Sequence, residues 1–349
     1  MTLTFLVPGA LDQLTGGYLY DRQVVDGLRR LGRTVHVVEL PGQYPAADTT
    51  AQAAAAQALA ALPDGHTAVI DGLALPAFEG SLAGQARRLR LVGFIHHPLS
   101  QETGLTPAQA RHYAALEARL WPLLRGAVCP SAHTARALLA AGLSDDRVAV
   151  VKPGTTPPAP RLTRDPHGPL QLLSVGTVTP RKGHRLLITA LAGLQGVDWH
   201  LSCIGSLTRD PAAAAALRSA IEAHGLSHRV TLRGEQPAAT LTAAYQAADV
   251  FVLPSYFEGY GMAHAEALAQ GLPVVASTGG ALPDTVPADA SLLVPPGDAA
   301  ALRDALRRLL SDAPLRQRLS AGAARAAAAL PDWDHTVRNW ATALEWISA

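Results

Sequence analysis

Short apolar runs recur along the chain, separated by stretches with helical spacing. LTFLVPG (3–9) predicts a first strand, and TGGYLYDRQVVDGLRRLG (15–32) a loop passing into a helix. TVHVVEL (34–40), an Ala-rich helix (50–62), TAVIDG (67–72), a helix near 77–89 and LRLVGFIHH (89–97) follow. RGAVCPS (125–131) and RVAVVKPG (147–154) continue the series. Continuous apolar runs bounded by helices predict βαβ units and a parallel sheet. KPGTTPPAPRLTRDPHGP (152–169) has no apolar period and reads as a linker. Alternation then restarts with LQLLSVGTV (170–178), DWHLSCIG (198–205), RVTLRG (229–234), DVFVLPS (249–255) and LPVVAS (272–277), with helices between them such as 211–225. The last segment spaces Trp333, Val337, Trp340, Leu344 and Trp346 mostly three or four apart, an amphipathic helix expected to dock on the protein's own core.

The pattern predicts an α/β protein with two Rossmann-like parallel-sheet domains, 1–165 and 166–330, and a terminal helix, 331–349, packing back towards the first. A length of 349 residues exceeds what one core usually serves. Hydrophobic residues at 48% against 16% charged favour a compact enzyme over a disordered chain. A net charge of +1 argues against a nucleic-acid partner. Arg87, Arg88 and Arg90 are the nearest thing to a membrane-contact cluster, and an ordinary solvated helix face explains them. With only Cys129 and Cys203, neither a disulfide scaffold nor a cysteine zinc site is expected. The opening MTLTFLVPGA reads as a strand and not a signal peptide, and no run approaches membrane-spanning length, so a cytoplasmic location is expected.

Ligands of open α/β sheets gather at the carboxyl ends of strands, and four segments fall there. Gly16-Gly17 follows the first strand, where glycines let backbone amides approach an anion; a plain turn fits equally well. GTVTPRKGH (176–184) puts Arg181 and Lys182 near a helix start, where cations oppose the dipole unless an anion lies between. The chain has 27 Arg and only Lys152 and Lys182, which singles out Lys182; the Walker sequence G-K-[ST] is absent. PSYFEGYGMAHAEALAQGLPVVAS (254–277) sets Glu258 and Glu266 on either side of a glycine loop, Gly259 to Gly261, and a helix start at Met262–Ala263. Were that span wholly helical it would cover roughly 12 Å, the reach of a nucleotide sugar from ribose to hexose. Each carboxylate suits a hydroxyl pair. FIHHPLS (94–100) puts His96 and His97 at a strand end, with no third metal ligand evident from spacing; His264 reads as a packing residue.

Together these residues resemble the family 4 retaining glycosyltransferases of GT-B fold, two Rossmann-like domains facing a cleft. SVGTVTPRKG, RVTLRG, ADVFVLPSYFEGYGMAHAEALAQGLPVVAS, TGG and LLVPPGD stand in that family's order and spacing, and the likeness is densest from Leu172 to Asp298. The resemblance implies an acceptor-binding first domain and a nucleotide-sugar-binding second one. It implies that Glu258 holds hydroxyls of the transferred sugar and Glu266 the ribose, and that Arg181 and Lys182 neutralise the diphosphate. Gly259, Tyr260, Gly261, Met262 and Ala263 would add backbone donors, and the Gly234–Gln236 turn would lie by the base. His96 matches a strand-end histidine near the reacting sugar, with His97 as the alternative, and Gly16 and Gly17 match the family's glycine loop. Where many members have Gly-Arg, this chain has Gly176-Thr177, so one phosphate-binding cation is missing. The implied reaction is metal-independent transfer of a hexose, UDP-glucose being the default donor, to a small-molecule, saccharide or lipid-linked acceptor, with domain closure about the linker excluding water. A nucleotide-sugar epimerase and a non-catalytic sugar-nucleotide-binding protein are the rival readings.

Overall fold

The computed structural model describes residues 2–158, 168–194 and 196–348. The chain forms two compact units, one of Met1–Gly154 with Pro331–Ala349 and the other of Thr155–Leu330. The division falls at Gly154, ahead of the expected 165/166 boundary. That boundary lies outside the described residues, as does half of the expected linker, 159–167.

The first unit holds strands β1 (Thr2–Pro8), β2 (Thr34–Leu40), β3 (Thr67–Asp71), β4 (Arg90–Phe94), β5 (Gly126–Cys129) and β6 (Val148–Val150), in the order β2-β1-β3-β4-β5-β6. The second holds β7 (Leu170–Val175), β8 (Trp199–Ile204), β9 (Val230–Leu232), β10 (Val250–Leu253), β11 (Val274–Ser277) and β12 (Ser291–Val294), in the order β12-β11-β10-β7-β8-β9. All neighbouring strands pair in parallel. Central strands such as β3 and β10 are buried along their whole length, which is why they read as unbroken apolar runs. Each sheet reverses its winding once, between β1 and β3 in the first unit and between β7 and β10 in the second. Loops leave in opposite directions at such a point and open a crevice at the strands' carboxyl ends.

In the first unit the helix Trp333–Ser348 lies on the helix Gly16–Arg30. Trp340 is fully buried, with its ring 4.5 Å from Phe94 at 70° and its Nε1 donating to Tyr20 Oη at 3.0 Å. Tyr20 in turn donates to the Val151 carbonyl at 2.6 Å. Trp346 departs from the expected seam. It is 46% exposed, and Ile347 is buried in its stead, because the three- and four-residue steps from Val337, Trp340 and Leu344 land on 347.

Two other expectations are corrected. The helix near 77–89 is a 3-10 turn, Leu75–Phe78, followed by a short helix, Leu82–Gln85. Gly80, in the turn between the two pieces, costs a helix roughly 1 kcal/mol relative to alanine and marks the break. The short run Ser291–Val294 forms an edge strand that its pattern did not announce. Among the described residues no helix is long and apolar enough to cross a membrane.

Candidate active site

The loops after β7 and β10 meet at the switch point of the second unit. A 3-10 turn, Pro180–Lys182, ends at Gly183, whose φ of 71° is left-handed; the helix His184–Ala192 follows. A β-carbon at Gly183 would overlap the Pro254 carbonyl oxygen, so glycine lets the two loops touch. Tyr256 N–H donates to the Arg181 carbonyl at 2.7 Å and joins them further.

This junction brings Arg181, Lys182 and Glu258 together. Lys182 Nζ donates to Glu258 Oε1 at 2.7 Å and Arg181 Nη1 to Oε2 at 3.3 Å, while Ser255 Oγ donates to Oε1 at 2.6 Å. Arg181 Nη1 also donates to the Phe257 carbonyl at 2.8 Å. Glu258 is 5% exposed. Burial by itself would raise its pKa, but the charges of Lys182 and Arg181 hold it well below the usual carboxylate range. A single carboxylate therefore gathers two cations at the crevice. Sequence spacing had shown the acid and the cations as separate devices, and it had not pointed to Ser255.

The span from Glu258 to Glu266 is not wholly helical, so the helical estimate of its reach does not apply. Residues 258–261 run irregularly, and the helix Met262–Ala269 begins after Gly261, whose φ is 96°. The amides of Met262 and Ala263 precede any intrahelical acceptor and are oriented as helix N-terminal donors. Tyr260 is buried and its hydroxyl has no hydrogen-bond partner among the described residues. Glu266 is half-buried and accepts from Thr156 N–H at 3.3 Å on both oxygens; burial pushes its pKa up to about 7, those bonds acting against it. His264 is fully buried, donates through Nε2 to the Leu253 carbonyl at 3.0 Å and packs its ring 5.3 Å from Phe251. Burial lowers its pKa to about 4, so it stays neutral, as a packing residue does. Gly234, with φ 66°, accepts from Gly205 N–H at 2.9 Å, and Gln236 donates to the Arg233 carbonyl at 2.6 Å; both follow β9, on the β8–β9 side of the switch point. Thr177 is half-buried in the loop after β7.

The switch point of the first unit carries a second cluster. Gly16 and Gly17 form the first turn of the helix Gly16–Arg30, and are not in the loop before it. A β-carbon on Gly17 would lie 3.6 Å from the His96 ring, in ordinary van der Waals contact, so the helix start lies beside that ring. His96 Nε2 stands 3.1 Å from Asp21 Oδ1, on the same helix, and 3.4 Å from Asp71 Oδ2, at the end of β3. Asp71 also accepts from Leu73 N–H at 2.6 Å. Burial would lower the His96 pKa, but Asp21 and Asp71 push it up to about 10. Burial, then the charge of Asp71, raises Asp21 to about 7, whereas contact with His96 lowers Asp71 against its burial. Among the described residues these three are the one group of His, Cys, Asp and Glu whose coordinating atoms lie within 4.8 Å of one another. Spacing showed no partner for His96; strand order supplies two. His97 turns elsewhere, to Glu102 at 3.2 Å.

Residues 160–326 match the family described as Glycosyl transferases group 1. The D-inositol 3-phosphate glycosyltransferase of Corynebacterium diphtheriae is 35% identical over 200 residues, 52% of this chain and 47% of that protein. The chain spans about half the length of the curated relatives it matches. Sucrose-phosphate synthase from Thermosynechococcus elongatus superposes with a TM-score of 0.81 at 22% identity, over 98% of both chains. HepE from Anabaena, solved with UDP-glucose, superposes at 0.76 and 18% identity, over 99% of both. Those two likenesses are of fold. Across both units the fold is that of these structures, GT-B, and across most of the second unit the sequence matches the group 1 glycosyl transferase family.

Proposed function

We propose that this protein moves a hexose from a nucleoside diphosphate sugar to an acceptor hydroxyl, with retained anomeric configuration and without a metal ion. The observation that carries the reading is the convergence of Arg181, Lys182 and Glu258 at the switch point of the second sheet. Two cations held by one buried carboxylate are pre-oriented for an anion, which costs less reorganisation than gathering them after it arrives. UDP-glucose is the first donor to test, in keeping with the Anabaena neighbour's complex.

In this reading the second unit binds the donor. Arg181, Lys182 and the amides of Gly259, Tyr260, Gly261, Met262 and Ala263 take the diphosphate. Glu258 holds hydroxyls of the hexose while keeping the cations aimed, and Glu266 exchanges its Thr156 contact for the ribose hydroxyls. Gly234 and Gln236 flank the base. The first unit serves the acceptor, through Gly16, Gly17 and His96. The acceptor hydroxyl attacks from the face the diphosphate leaves, and a departing phosphate oxygen takes its proton while the cations stabilise the developing charge. The acceptor is a small molecule, a saccharide or a lipid-linked glycan, and the reaction is assigned to the cytoplasm.

The test is a donor panel read by thermal shift, followed by mass spectrometry of acceptor mixtures incubated with the best donor. Glu266→Ala is expected to weaken nucleotide-sugar binding and Lys182→Ala to lower turnover. Unchanged activity in both variants would sink the site assignment.

A further inference from the structure

Asp21 and Asp71 have no part in the transfer reaction as drawn, yet the fold buries both against His96. Asp21 is fully buried, and its Oδ2 has no hydrogen-bond partner among the described residues. The surroundings are aromatic: the Phe94 ring lies 4.3 Å from the His96 ring and the Tyr20 ring 6.0 Å. Two carboxylates in such a place are costly unless a cation joins them. A metal ion, a proton on Asp21 hydrogen-bonded to Asp71, or the imidazolium itself can meet that cost. Asp21 is hydrogen-bonded to Nε2 at 3.1 Å and Asp71 stands 3.4 Å from the same nitrogen, so one N–H faces two acceptors, Asp21 the nearer. A metal-bound Nε2 would have no proton to share.

We propose that Asp21 and Asp71 are positioning residues that keep His96 a permanent imidazolium, its Nε2–H held between the two carboxylates and its Nδ1–H presented to an oxygen of the bound substrate. Nδ1 has no protein partner among the described residues, and the side chain keeps 19% of its surface open. The charged groups that act on the ring are Asp21, from the helix Gly16–Arg30, and Asp71, from the end of β3. Tyr20 and Phe94 add aromatic faces, and His97 points to Glu102. Fixed in this way, His96 donates and does not accept: it cannot serve as the base for the acceptor hydroxyl, and it favours an electron-rich oxygen opposite Nδ1. The substrate half of the inference rests on the glycosyl-transfer reading; the protonation half does not.

The test is a pH titration of the full chain labelled with ¹⁵N-histidine, followed through the two ring nitrogens. The His96 signals, among 13 histidines, are identified by their loss in His96→Gln. Both nitrogens are expected to stay protonated from about pH 6 to about pH 9, where an ordinary histidine has titrated near 6.5. Asp21→Asn and Asp71→Asn are each expected to move the midpoint down by about one pH unit or more. A wild-type midpoint near the ordinary value overturns the proposal, and so does a midpoint that neither variant shifts. Displacement of the Nε2 proton by one equivalent of Zn²⁺ overturns it in favour of a metal site. In turnover with UDP-glucose, the alkaline fall of kcat/KM is expected at lower pH in Asp71→Asn than in wild type, with recovery in Asp71→Glu; identical alkaline limbs count against the proposal. The expected titration without transfer to any acceptor supports the imidazolium and overturns the transfer reading alone.

Discussion

One carboxylate, that of Glu258, receives hydrogen bonds from Lys182, Arg181 and Ser255. Removing it leaves two poorly solvated cations facing each other, and breaking a buried pair in that way costs roughly 3 kcal/mol or more. Glu258→Ala is therefore expected to lower urea stability by about that amount, while Glu258→Gln, which keeps the Ser255 and Lys182 bonds, should lose less. Glu266 gives a pH prediction of opposite character. Its pKa is raised to about 7 from a usual 4.5, so between those values the folded protein holds the extra proton, and this group's contribution to stability declines as pH rises through that window. In the proposed donor site, ribose hydroxyls donate more strongly to the carboxylate than to the acid. Donor affinity should rise roughly tenfold between pH 6 and pH 8, and calorimetry on Glu266→Gln should show that rise abolished. Arg181, Lys182, Glu258, Glu266 and His96 were all legible in the sequence, because each stands in a local motif. Asp21, Asp71 and Ser255 were not. Asp21 sits inside a helix and Asp71 at the end of an apolar strand, fifty positions apart, and only the pairing of β3 with both β1 and β4 brings them to one histidine.

At the scale of elements, each site is made by loops leaving adjacent parallel strands in opposite directions. The fit between the loops after β7 and β10 rests on Gly183. Gly183→Ala faces both a left-handed backbone and an overlap with the Pro254 carbonyl. Gly225→Ala faces a φ of 67° with nothing within 4 Å among the described residues, so it isolates the backbone cost, roughly 1 kcal/mol. Thermal unfolding should show Gly183→Ala as the more damaging change, by a further kcal/mol or more, and only that variant should lose nucleotide-sugar affinity. Most strands were readable because burial on both faces leaves an unbroken apolar run. The helix expected near 77–89 does not form as one piece because its apolar spacing runs on across Gly80, where the helix breaks.

At the scale of the molecule, each unit has its own sheet and core, and the chain returns to the first unit for its last helix. Val337, Trp340, Leu344 and Ile347 are buried there, Trp340 against Phe94 and Phe5. Each is worth roughly 1.5–3 kcal/mol of burial, so their sum is comparable with the whole stability of a domain. Truncation after Leu330 should therefore unfold the first unit and spare the second. Hydrogen exchange should accelerate in β1 and β4 while β7 and β10 stay protected; equal protection throughout would contradict it. The sequence by itself determined the alternation of strand and helix, the two-sheet class and the acids and cations of the candidate site, since periodicity and spacing are local properties of a chain. The tertiary structure alone decided strand order, and with it which distant side chains share a switch point. That is why Glu258 holds both cations and why two aspartates close on His96: the cost of burying a charge is settled by whatever the fold places beside it.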